Sequence, residues 1–133
     1  MYKTKEEILD YLRKTGFQKR LDKLIKKYKG QKVIIYGGGG IFFETILENY
    51  DLSGFNIIGL SDIRFKDNEE YKGFKTFAPA SIKAQNPDVV LIATLESAII
   101  EDYFEDELFP EHGKFKYEPF VQTSFIELIK ALF

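Results

Sequence analysis

Four consecutive glycines, Gly37, Gly38, Gly39 and Gly40, follow the apolar run Lys32–Tyr36 (KVIIY) and precede Ile41 and Phe42. Backbone approaches a phosphate closely only where no Cβ intrudes, and glycine also permits positive φ. A helix starting just after such a loop presents unsatisfied N–H groups and the positive end of its dipole. Gly37-x-Gly39, between a strand and a helix, supplies two of the three glycines in the G-x-G-x-x-G/A pattern of dinucleotide-binding loops. The third glycine position is Phe42, or Phe43 in the register that starts at Gly38. A Phe there either widens the helix–strand packing or swings into the place of the pyrophosphate, which puts the usual mode of NAD binding in question.

Asp62 carries the second half of the signal. It ends the next apolar run, Phe55–Leu60 followed by Ser61. An acid at that place takes a ribose hydroxyl, whereas the plain alternative is a turn or cap Asp. Arg64, two residues on, can pair with Asp62, meet a phosphate or stay solvated. Thr94 and Leu95 follow the most apolar run, Asp88–Ala93, and would line the same crevice.

Other chemistries fail on inspection. No Lys-Ser/Thr follows the glycines, so a Walker loop is excluded, and a methyltransferase glycine loop is a poor match. Tyr71 and Lys75 spell Y-x-x-x-K, but Gly73 interrupts it and chance alone supplies such a pair. His112, the only His, lies in the turn Pro110–Gly113 with no nucleophile to serve. Zero Cys and one His remove thiolate and multi-histidine metal sites, so no metal is expected. Glu96–Glu111 holds seven carboxylates, which read as the wet face of an amphipathic helix or a surface for basic helices.

These residues need elements to hold them. Thr4-Lys5-Glu6-Glu7 reads as a capping box. Ile8, Leu9 and Leu12, then Phe17, Leu21, Leu24, Ile25 and Tyr28, mark one or two amphipathic helices broken at Gly16 and closed near Gly30. From residue 32 onward the expected order is β-α-β-β-α-β-α-β-α. Strands fall at 32–36, 55–60, 75–77, 88–93 and 114–117. Helices fall at 41–50, 79–85, 94–108 and 122–133, with Ile99, Ile100, Tyr103, Phe104 and Leu108 inward. Residues 63–73 read as a loop. The fold class is α/β, with a parallel sheet of about four to five strands and helices on both faces. Ligands in such sheets sit beyond the carboxyl ends of the strands, where the glycines lie.

The chain of 133 residues divides into a basic helical arm, 1–30, and a nucleotide-binding domain, 31–133. Its net charge of −2 excludes a strongly basic protein. Residues 1–36 carry +7 and the remainder −9. Such an arm contacts nucleic acid, docks on an acidic surface of this chain or a neighbour, or is simply solvated. A nucleic-acid partner is disfavoured by the acidic remainder. No signal segment or membrane-length apolar run is visible, so the expectation is a cytoplasmic protein with no membrane contact.

The order KVIIYGGGG, FNIIGLSD, YKGFKTFAPASI and NPDVVLIAT resembles the small NAD(P)-Rossmann-like domains of bacterial surface-glycan biosynthesis, as in nucleotide-sugar epimerases and dehydratases. The resemblance covers about residues 31–95. It implies a Rossmann-like sheet and a nucleotide, dinucleotide, NAD(P) or nucleotide-sugar ligand. It also implies that catalytic machinery lies in a second domain or a partner glycan-biosynthesis enzyme. Three functions follow: a binding module not catalytic alone, an NAD(P)-dependent enzyme or subunit completed by a homo-oligomer or partner, and a degenerate assembly domain.

Overall fold

The computed structural model describes residues 4–121. Helices α1 (Lys5–Lys14) and α2 (Phe17–Lys27) open the chain. The Thr4 hydroxyl accepts from the Glu7 amide at 3.1 Å, and Glu6 and Glu7 oppose the dipole while Arg13 and Lys14 close the other end. The chain turns between the helices at Gly16, whose φ of 71° suits glycine.

The sheet contains β1 (Lys32–Tyr36), β2 (Asn56–Ser61), β3 (Glu70–Tyr71), β4 (Phe74–Phe77), β5 (Val89–Ile92) and β6 (Tyr117–Pro119). Its order is β3-β4-β2-β1-β5-β6. All neighbours are parallel except the β3–β4 hairpin. Taken in chain order, the five parallel strands run 3-2-1-4-5, the doubly wound Rossmann order. The direction of winding reverses beside β1, so the crevice lies beyond the carboxyl ends of β1, β2 and β5.

Strand alternation splits the interior in two. Val33, Ile35, Leu60, Val89 and Leu91 face Ile8, Leu12, Phe17, Leu21, Leu24, Phe43 and Ile46 from α1, α2 and α3 (Ile41–Asn49). Ile34, Tyr36, Val90 and Ile92 face Phe77, Ile82, Phe104, Leu108 and Phe109. Helices thus cover both faces, and the first two share a core with the sheet.

Several elements differ from the sequence expectation. Residues 79–85 form two 3-10 turns, Pro79–Ser81 and Lys83–Gln85, in place of an α-helix, and Asn86 ends them left-handed at φ 52°. The helix expected from Thr94 begins at Ser97 (α4, Ser97–Tyr103). It runs through a π-helical stretch, Phe104–Leu108, into α5 (Phe109–His112). His112 therefore ends a helix, and Ile99 points outward at 62% exposure, not inward. The last described strand is Tyr117–Pro119, not 114–117. The polar stretch 63–73 hides β3, paired with β4 across Lys72 and Gly73, both at positive φ. The helix expected at 122–133 lies outside the described residues.

The acidic surface that meets the basic helices is not the 96–111 segment, which packs on the other face. Lys5 bridges Glu44 and Glu48 of α3 at 3.1 and 3.0 Å. Arg20 and Lys27 of α2 converge on Glu118 of β6. Lys19, Lys23, Lys26 and Lys29 remain exposed. No helix among the described residues is long and apolar enough to cross a membrane.

Candidate functional site

The glycine loop sits where β1 ends and α3 begins. The Gly37 and Gly38 amides both donate to the Ser61 carbonyl, at 2.9 and 3.2 Å. The Gly39 amide donates to Asp62 Oδ2 at 3.1 Å, and the Gly40 amide to the Gly37 carbonyl at 3.2 Å. All four glycine amides are thus satisfied within the chain. The next three, of Ile41, Phe42 and Phe43, form the first turn of α3 and have no acceptor among the described residues. Any hydrogen bonding to an anion falls to them.

The glycines are needed for fit as well as for turning. Gly37 has φ 89°, and a Cβ there would lie 2.9 Å from Thr94 Cγ2 and 3.2 Å from the Ala93 carbonyl oxygen. On Gly38 it would lie 2.9 Å from Leu60 Cβ. On Gly39 it would meet Asp62 Oδ2, Arg64 Nη2 and Phe65 Cε1, each at 3.1 Å. Arg64 Nη2 also comes within 3.9 Å of the Gly40 position. The guanidinium therefore lies over the glycine loop.

Asp62 is buried at 6% exposure and fully engaged. Oδ1 accepts from Arg64 N at 3.2 Å and Nε at 3.0 Å, and Oδ2 from Arg64 Nη2 and Gly39 N, both at 3.1 Å. Four bonds fill a carboxylate's acceptor positions. A ribose hydroxyl can reach Asp62 only when a donor leaves, and Arg64, with a side chain 63% exposed, is the donor that solvent reaches. Burial pushes the Asp62 carboxyl upward, but the Arg64 and Gly39 hydrogen bonds outweigh it and hold it below its ordinary value.

The structure brings Gly37–Gly40, Asp62, Arg64 and Thr94 together at the carboxyl ends of β1, β2 and β5. Thr94 lies against Gly37, and its buried Oγ1 has no hydrogen-bond partner among the described residues. Ile41 is exposed at the mouth, at 43%. The Phe42 ring is buried in the core on the α3 face, so it fills the packing space instead of the loop. Leu95 packs partly against the same core. Tyr71 and Lys75 sit on different strands of the hairpin, which breaks the Y-x-x-x-K geometry.

Sequence reasoning missed three contributors. The hairpin side of the site is built by Phe65, whose ring lies 5.2 Å from Tyr71, and by Lys72, which donates to Glu44 at 3.1 Å. The Lys72-Gly73 turn was the available signal. Tyr36, the last residue of β1, is 3% exposed. Burial first, then the nearby charges of Tyr103 and Asp62, push its phenol far above its ordinary value. Among the described residues no group of three or more His, Asp or Glu is placed to hold a metal ion.

No family model matches the chain, and no curated protein does. Among solved structures it is similar to "RSP in complex with beta-NAD+ and operator DNA", at a TM-score of 0.44 and 16% identity. The likeness covers 84% of this chain and 58% of that one, so this chain spans less than two thirds of that protein. The strand order of the chain itself establishes a Rossmann-like α/β fold.

Proposed function

We propose that this chain is a nucleotide-binding Rossmann-like module that seats a phosphate at the start of α3, beside the Gly37–Gly40 loop. The observation that carries this is the unpaired first turn of α3. The amides of Ile41, Phe42 and Phe43 have no acceptor among the described residues and follow directly on the glycine loop, over which the Arg64 guanidinium lies. A phosphate supplies the acceptor that those amides lack. Drawing Arg64 onto that phosphate would free Asp62 for a ribose hydroxyl. Thr94 Oγ1 is a further free group on the β5 side.

The ligand class is a nucleotide, dinucleotide such as NAD(P), or nucleotide-sugar. A role in bacterial glycan biosynthesis rests on the resemblance over residues 31–95. We read the module as a binding unit that is not catalytic alone, because among the described residues Asp62 is the one carboxylate hydrogen-bonded to the glycine loop and has no second acid, base or nucleophile hydrogen-bonded beside it. Mass spectrometry of ligand released from purified protein on denaturation tests this, together with titration of NAD and a nucleotide-sugar. Micromolar binding that is lost in Gly39→Val is expected. No binding of either at millimolar concentration overturns the reading.

A further inference from the structure

Two surfaces hold charge that the described residues leave unpaired. The first is a cavity of about 400 Å³ at the amino ends of β5 and β6. Pro87 and Phe115 give it an apolar wall, and the Phe115 ring is braced edge-on by Phe104 and Phe109 at 5.1 and 4.9 Å. Lys83, Lys114 and Lys116 stand around it, all exposed. Lys116 is held over the Tyr28 ring at 5.0 Å, and none of the three lysines has an ion-pair partner among the described residues. One carboxylate, Asp88, shares the lining, and its Oδ2 already accepts from the Lys32 amide at 2.6 Å.

The second surface follows the carboxyl end of β5. Ile99 stands 62% exposed in the first turn of α4. Glu96 and Asp102, three residues to either side of it, are exposed and have no basic partner among the described residues. That spacing sets all three side by side. The acidic run continues to Glu111, seven carboxylates with no Lys or Arg between them. The helical run Ser97–His112 is about 24 Å long at 1.5 Å per residue and carries the chain from the carboxyl end of β5 back to the amino end of β6. Ile99 and the lysine cavity therefore sit at opposite ends of the sheet and cannot meet within one chain.

The two surfaces are complementary. An exposed aliphatic side chain flanked by carboxylates matches an apolar-walled cavity rimmed by ammonium groups. Seating Ile99 removes apolar surface from water, and the flanking charges fix its register. A two-fold pairing of these faces would bring the acidic middle of the run, Glu105 and Asp106, against its own copy. A head-to-tail stack sets acid against base alone.

We propose that this chain assembles head to tail, with Ile99, Glu96 and Asp102 of one copy seated in the cavity rimmed by Lys83, Lys114 and Lys116 of the next. Such a contact is heterologous, so it builds a ring or an open filament and does not close at two copies. It is independent of what the glycine loop binds.

Sedimentation velocity of the purified chain over a rising concentration series tests this. At about 0.1 M salt the mean mass should climb past two copies, and at about 1 M, where the Debye length has shrunk from about 10 to about 3 Å, it should fall back. Ile99→Asp should weaken association at least about tenfold, the scale of one buried aliphatic side chain. The triple variant Lys83→Glu, Lys114→Glu, Lys116→Glu should stay monomeric. Mixing these two variants joins the intact acidic surface of one to the intact cavity of the other, so the mixture should form one-to-one dimers that grow no further. Ile63→Asp, as exposed but outside the contact, should assemble as the parent does. A parent that stays monomeric or stops at two copies overturns the head-to-tail contact. So does assembly untouched by salt or by either variant, and so do two cooperatively melting variants that fail to pair on mixing.

Discussion

Asp62 shows how one side chain can serve structure and ligand in turn. Its carboxylate closes the glycine loop through Gly39 and holds Arg64 by two guanidinium bonds. Its folded pKa is depressed, so its contribution to stability is complete above the unfolded carboxylate value near 4 and is lost as pH falls through the folded value. Asp62→Asn should therefore flatten the acid limb of a urea-midpoint profile taken between pH 2 and 7. At neutral pH it should cost only about 1 kcal/mol, because Arg64 is mostly exposed. At Gly37 the constraint is backbone. Gly37→Ala combines a left-handed φ with a 2.9 Å approach to Thr94, so a loss of about 1–3 kcal/mol is expected in denaturant titration.

At the scale of elements, α3 explains why the third fingerprint glycine is missing. Phe42 is one of the side chains that fill the space between α3 and the sheet. Restoring the pattern with Phe42→Gly should destabilise by about 3–5 kcal/mol, since it empties a core site and places glycine in a helix. A thermal melt that stays within a few degrees of the parent would contradict this account. The α2–β6 contact is the other element-scale lock. Arg20 donates to the Pro119 carbonyl at 2.7 Å and to Glu118 at 3.3 Å, and Tyr28 and Lys27 also donate to Glu118. Glu118→Gln should lower stability by about 1–3 kcal/mol, because the buried Tyr28 and the partly buried Arg20 lose a charged acceptor. Burial raises the Glu118 carboxyl, but Tyr28 and Lys27 outweigh it and keep it below its ordinary value. This stabilisation too is lost on the acid side of pH 4.

For the whole molecule, the first two helices belong to the core. Ile8, Leu12, Phe17, Leu21, Leu24 and Tyr28 are each at most 2% exposed and cluster with Val33 and Ile35 of β1. A fragment of residues 31–133 should fail to give a cooperative melt, because it would expose that apolar face. Net charge remains divided, with the exposed lysines of α2 on one side and the acidic 96–111 segment on the other. Retention of duplex DNA in a gel shift should be confined to about 50 mM salt and vanish by about 200 mM.

Much of this was legible in the residues themselves. Strand, glycine loop, helix, strand and acid appear in order because each rests on local chemistry: apolar runs, missing Cβ atoms, caps and breaks. The alternation of strands and helices implied the parallel sheet for the same reason. Only the tertiary structure decided what those groups do with one another. The glycine amides turned out to be satisfied by Ser61, Asp62 and Gly37, which left the first turn of α3 as the open donors. Hydrogen-bond partners brought together by the sheet are invisible in spacing along the chain. Of the β3–β4 hairpin only β3 was hidden, because it is short and begins on a charged residue, held by the Lys72-Gly73 turn and its antiparallel pairing with β4. Whether Phe42 faced the ligand or the core depended on which side of the sheet α3 packs, and long-range burial settles that.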